Sequence, residues 1–204
     1  MKTLYIERST GECRKGAWVE KLDLEGIERI VVGTGPGSFA GIRSALAFAQ
    51  GYALGKPGME VLGLSSACAI AADFYSHSQF PSPHSQFPIP HSPSPIPHSL
   101  TVIGDARQGK LWIAEFEGYN LVKDIYQIEV PDLNSSLFTF HSSLFPVVSP
   151  DDKRIGSLLK ETFGDRYLGE RMPTAEGLRL FAEANPAILV KEPLPIYLNP
   201  AVRS

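Results

Sequence analysis

The chain has 204 residues, 43% of them hydrophobic and 20% charged, and a formal net charge of -3. That is enough apolar material for one substantial core or two small lobes, and its scattered basic residues exclude an unaided electrostatic grip on nucleic acid. Cys13 and Cys68 form neither a CxxC pair nor a metal pattern, the start from Met1 to Glu7 is too polar for a signal peptide, and no stretch approaches the roughly 20 apolar residues of a membrane helix; a reduced, cytoplasmic protein without a membrane span is expected.

Thr3 to Ile6 reads as a first strand. Glu7 follows it and reads as an exposed residue, with a polar role as the alternative. Trp18 to Leu24 supplies one short strand or helix. The apolar run Ile30-Val31-Val32 is a buried strand that ends in a turn carrying Gly33, Gly35, Pro36 and Gly37. Ser38 is the candidate cap of the helix that follows. The amides around Gly35, Gly37 and Ser38 form a candidate anion site, set against a turn that is simply capped. The Gly-Lys-Ser/Thr ending of a phosphate-binding P-loop is absent, because Ser38-Phe39-Ala40 stands in its place.

Along the helix, Ile42, Ala45, Leu46, Ala49 and Ala53 recur at helical spacing, while Ala47, Phe48, Tyr52 and Leu54 make the other side apolar as well. Its alanines and glycines would let a second helix approach closely. Two readings stand: a helix buried in its own domain, or an interface with another chain. Arg43 lies near the positive helix end and therefore calls for a carboxylate, a carbonyl or an anion beside it.

Glu60 to Leu64 is a second buried strand, and Ser65 or Ser66 caps a helix through Phe74, giving a right-handed parallel unit. Three heptads then run from His77 to Pro97, placing His77, His84, His91 and His98 at sevenfold spacing among prolines. Such a segment predicts an extended insertion, with metal binding as the alternative. Leu100 to Arg107 and Leu111 to Phe116 form a hairpin; its Asp105 and Arg107 are either a catalytic pair or the stabilisers of the turn. A third strand is expected from Leu121 to Val130, a strand near Phe145 to Val148, a helix from Arg154 to Phe163, and a last helix capped by Thr174.

GTGPGSFAGIR resembles the GPGSFTGIR signature of the TsaB (YeaZ) family, proteins of tRNA threonylcarbamoyladenosine biosynthesis. Val61 to Ser66 resembles the VxGVSSL element that follows it there; Asp105, Ala106, Arg107 and Gly109 match DARRGEVY, and Pro195 to Asn199 is close to the terminal P-x-Y-L-R. Departures are Glu7-Arg8-Ser9 for Asp-Thr-Ser, Ala40 for Thr, Ser149-Pro150 for a glycine, Asn199 for Arg, and a drastically shortened stretch from Gly11 to Ile30.

The resemblance implies an α/β, actin-like (ASKHA, ribonuclease H-like) two-lobe fold with a reduced first lobe: 1–76, then the insertion 77–99, then a second lobe 100–204. It implies a non-catalytic scaffold that binds and activates TsaD, with a TsaE-type ATPase in the same complex, tRNA reached indirectly, and a homodimer as another pairing. No cofactor is expected on this chain itself; ATP enters through the complex. The implied partner surface is Ser38, Phe39, Ile42, Arg43, Leu46, Ala47, Gln50 and Leu54, with no catalytic residue. The alternatives are a small transferase using the glycine turn as an anion site, and a degraded relative retaining only fold and self-association.

Overall fold

The computed structural model describes residues 1–10, 23–77, 99–133 and 145–198. They divide into two compact units, Met1–Ala72 with Pro173–Pro200, and Asp73–Met172. The segment from Pro173 onward, expected in the second lobe, thus belongs to the first unit, and the reason is packing: its helix lies against the first unit's strands. The heptads beyond His77 lie outside the described residues, as do Trp18 and Cys13.

In the first unit, β1 (Lys2–Ile6), β2 (Ile27–Gly33) and β3 (Glu60–Leu64) run parallel, and the short β10 (Val190–Lys191) closes the order β1-β2-β3-β10 antiparallel to β3. Ile30, Val31 and Val32 are all buried, as expected of a parallel strand covered on both faces. Alternation sends Ile30 and Val32 to one face, where they meet Ile42, Ala45, Leu46 and Ala49 of α1 (Phe39–Leu54). Val31 points the other way. Its register partner Tyr5 lies on the same face and feels the charges of Glu183 and Arg179, so α4 (Ala175–Ala184) covers that side. Thr174 caps α4 as expected, its hydroxyl accepting the Gly177 N–H at 2.8 Å. Gly177 also allows contact with the Ala69 backbone of α2 (Ser66–His77), where a Cβ would not fit.

In the second unit, β4 (Ser99–Arg107) and β5 (Lys110–Glu117) form the expected hairpin. The third strand is split: β6 (Asn120–Leu121) and β7 (Tyr126–Glu129) each pair antiparallel with a different part of β5. Beyond β4 lie β8 (Val147–Ser149) and β9 (Tyr167–Glu170), β8 parallel to β4 and β9 parallel to β8, with α3 (Asp152–Phe163) connecting β8 to β9. Ile155, Leu159 and Phe163 of α3 pack on Ile103, Leu111, Ile113 and Val147, following the spacing read from the sequence.

Candidate partner-binding face

The glycine turn is held by backbone and serine contacts from three directions. Thr34 donates its N–H to the Leu64 carbonyl at 2.9 Å, and the Gly35 N–H reaches the Ser66 hydroxyl at 3.1 Å. The Gly35 carbonyl accepts from the Ser66 N–H at 2.7 Å and from the Ser65 hydroxyl at 2.9 Å. From the segment after β1, the Ser9 carbonyl takes the Ser38 N–H at 2.6 Å. From the C-terminal segment, Ile196 donates to the Thr34 carbonyl at 2.8 Å.

Gly35 has φ 96°, a left-handed conformation suited to glycine, and Gly37 packs so tightly on Ser9 that a Cβ would collide with its carbonyl. Of the amides expected to receive an anion, those of Gly35 and Ser38 are committed to protein acceptors. The Ser38 side chain accepts the Gly41 N–H at 3.4 Å and so fills the predicted capping role. Here the serines serve as caps and struts.

The helix itself has one buried face rather than two. Ile42 and Leu46, both expected to touch a partner, are 3% and 4% exposed because their spacing with Ala45 and Ala49 turns them onto β2. Phe39, Arg43, Ala47, Gln50 and Leu54 are exposed, with Phe39 at 54% and Leu54 at 90%. Arg43 is the only charged residue of α1. It satisfies its position in a way the sequence reading did not foresee, its guanidinium lying 4.8 Å from the centre of the Phe39 ring.

Tyr197 completes this patch. Its ring centre is 5.3 Å from that of Phe39, and it is 53% exposed. The closing P-x-Y-L pattern carried the signal, since it drew attention to this tyrosine, but nothing in linear sequence places the end of the chain beside the start of α1. Two aromatic rings and an arginine in one exposed cluster have the composition of interface anchors.

One other sequence expectation changes. Glu7 is not an exposed residue after a strand: its carboxyl is buried, with Oε1 accepting the Ser9 N–H at 2.7 Å. Burial pushes its pKa up from the usual carboxylate value, while the hydroxyl and N–H of Ser9, the Ser66 hydroxyl and the Arg8 N–H pull the other way. Asp105 takes the turn-stabilising one of its two expected roles: it accepts the Arg107 N–H at 2.7 Å and pairs with Arg154 Nε at 2.8 Å, while the Asp151 carboxylate takes the Asp105 N–H at 2.9 Å. Arg107 and Gln108 have φ of 69° and 54°, so these contacts hold a tight left-handed turn. Cys68 is a buried free thiol whose pKa burial pushes upward. Among the described residues, no group of three or more His, Cys, Asp or Glu side chains is placed to hold a metal ion, and no helix is long and apolar enough to cross a membrane.

Residues 17–89 match the family model described as TsaD: tRNA N6-adenosine threonylcarbamoyltransferase. The fold matches a Pseudomonas aeruginosa crystal structure described as an uncharacterized protein with similarity to peptidase YEAZ, at TM-score 0.62 and 18% identity over 89% of this chain and 78% of that one. It also matches YeaZ from Pseudomonas aeruginosa, at TM-score 0.61 and 19% identity over 88% and 78%. No curated protein matches the chain. The glycine-turn segment thus lies inside the family match, and the chain has the mixed α/β fold of these YeaZ structures.

Proposed function

We propose that the chain is a non-catalytic subunit of the machinery that attaches threonylcarbamoyl to tRNA adenosine, and that the exposed face of α1 docks on TsaD. The observation that carries this reading is the patch of Phe39, Arg43 and Tyr197 at the head of a helix whose exposed side continues through Ala47, Gln50 and Leu54 with no further charge. An opposing surface would need an apolar strip with a carboxylate facing Arg43. In this reading tRNA and ATP are handled by the other members of the complex, including a TsaE-type ATPase, and this chain acts by favouring the competent state of TsaD. A differential affinity of about 1.4 kcal/mol for that state shifts its equilibrium tenfold.

The test is to mix the purified chain with TsaD, then measure co-elution and tRNA modification with the wild type and with Ala47→Arg. The wild type co-elutes and stimulates modification, and Ala47→Arg does neither while unfolding at the wild-type temperature. A wild-type chain that neither binds nor stimulates overturns the reading. Sedimentation of the chain alone separates self-pairing through the same face from docking on TsaD.

A further inference from the structure

Glu7 stands where β1 ends, and its carboxyl group lies beneath the glycine turn. Oε1 accepts the Ser9 N–H at 2.7 Å; Oε2 packs against Gly33, where no Cβ would fit, and has no hydrogen-bond partner among the described residues. Ser9, whose N–H Glu7 holds, is also the residue whose carbonyl receives the Ser38 N–H at 2.6 Å. Ser38 in turn opens α1 twice over, accepting the Gly41 N–H with its hydroxyl and the Ile42 N–H at 3.0 Å with its carbonyl. Three successive links therefore run from a buried carboxyl to the first turn of the helix that carries Phe39 and Arg43.

We infer that Glu7 is a positioning residue for the head of α1: its carboxyl fixes Ser9 through the Ser9 N–H, and the Ser9 carbonyl fixes Ser38, from which the exposed face begins. The inference rests on the docking reading above for its functional consequence, and on the hydrogen-bond geometry alone for the positioning itself.

Burial favours the neutral form of this carboxyl. Its surroundings among the described residues are the uncharged Gly33 from β2, the hydroxyl of Ser66 from α2, and on its own segment the hydroxyl and N–H of Ser9 and the N–H of the adjacent Arg8; no charged side chain of the described residues is among the groups that act on it. A buried carboxylate with one oxygen unmet and no counter-charge is costly, whereas a neutral carboxyl there leaves only a weaker demand unmet. Rising pH forces the charge in, and the arrangement around Ser9 must loosen to hydrate it. The start of α1 is thereby tied to the protonation of a group that never touches the docking surface.

The experiment follows amide hydrogen exchange at Ser38, Gly41 and Ile42 in the full chain, for wild type, Glu7→Gln and Glu7→Ala, from the ordinary carboxylate range to well above neutrality. Glu7→Gln keeps an oxygen acceptor and cannot ionise, so its protection at these three amides stays near the wild-type low-pH value at every pH. Wild-type protection falls as pH rises, and Glu7→Ala lowers it about tenfold even at low pH, equivalent to about 1.4 kcal/mol. Unchanged protection in Glu7→Ala, or the same pH-dependent fall in Glu7→Gln as in wild type, overturns the inference. If Glu7→Ala does not fold, the comparison of wild type with Glu7→Gln decides by itself. TsaD affinity measured alongside tracks the protection; a wild type that shows the protection pattern yet never binds TsaD sinks the docking reading and leaves the positioning role intact.

Discussion

Ser38 donates its backbone N–H to the carbonyl of Ser9 at 2.6 Å, so the head of α1 is fastened to the segment leaving β1 and not only to its own first turn. The side chain of Ser38 adds a separate, longer contact to the Gly41 N–H at 3.4 Å. Ser38→Ala removes the second and leaves the first. The expected cost is about 0.5–1 kcal/mol, the lower part of the range for losing an N-cap, because the surviving backbone contact still orients the turn. Urea unfolding measures it, and a loss above about 2 kcal/mol would mean the hydroxyl carries more than capping.

Phe39 and Tyr197 form a second tie, between α1 and the end of the chain. Each is about half exposed, so each single alanine substitution costs little in stability, but a double-mutant cycle is expected to give a coupling of about 0.5–1.5 kcal/mol. Both single variants weaken TsaD binding if the patch is the docking head. Coupling near zero, with binding untouched, would reduce the pair to a chance contact of two surface rings.

Glycines at two positions predict opposite signs. At Gly63 a Cβ would stand 2.6 Å from the Pro193 Cβ and 2.8 Å from the Thr34 Cγ2, so Gly63→Ala must displace the C-terminal segment or the turn and is expected to cost about 1–3 kcal/mol. At Gly51, in the exposed stretch of α1, nothing lies within 4 Å of the added methyl, and Gly51→Ala is expected to stabilise the helix by about 1 kcal/mol. Thermal unfolding of the two variants checks the signs. If the stabilised Gly51→Ala also binds TsaD less well, the small residue serves close approach by a partner.

Much of this layout was legible in sequence because it is local. The strand, glycine turn and capped helix from Ile30 to Leu54 follow from short-range patterns, and so do the hairpin around Gln108 and the cap at Thr174. The apolar residues of α1 were read correctly as helical, but periodicity could not tell which apolar side faces solvent; that is set by β2, which takes Ile42 and Leu46 and leaves Ala47 and Leu54 outside. What escaped the reading is non-local: Glu7 lies beside Gly33, Tyr197 beside Phe39, and α4 joins the first unit although the whole second unit separates them in sequence.

Asp105 separates a structural from a catalytic use of the second unit. Its carboxylate holds the Arg107 N–H and the Arg154 side chain, and its own N–H is held by Asp151, so the group is fully engaged in keeping the hairpin turn against the start of α3. Asp105→Ala is expected to cost about 1–3 kcal/mol through the hydrogen bonds it leaves unmade. Any tRNA modification by the reconstituted complex should fall only in proportion to folded protein. A folded Asp105→Ala variant that binds TsaD normally but abolishes modification would instead assign the residue to the chemistry.

Glu7 gives the whole chain a pH dependence of defined sign. Because burial raises its folded pKa above the unfolded value, the native state holds more protons than the unfolded state between the two, and stability falls as pH rises through that window. Its contribution is therefore complete below the ordinary carboxylate range and is lost as pH climbs through the raised folded value. This is opposite to the behaviour of a salt-bridged carboxylate, which loses stability on acidification. Glu7→Gln removes the titrating proton, so the variant is expected to gain on wild type progressively as pH increases, while the two converge at low pH. Urea unfolding of both proteins across that range checks it: parallel pH profiles would show that Glu7 is already ionised in the native state, and that its buried carboxylate has found a counter-charge.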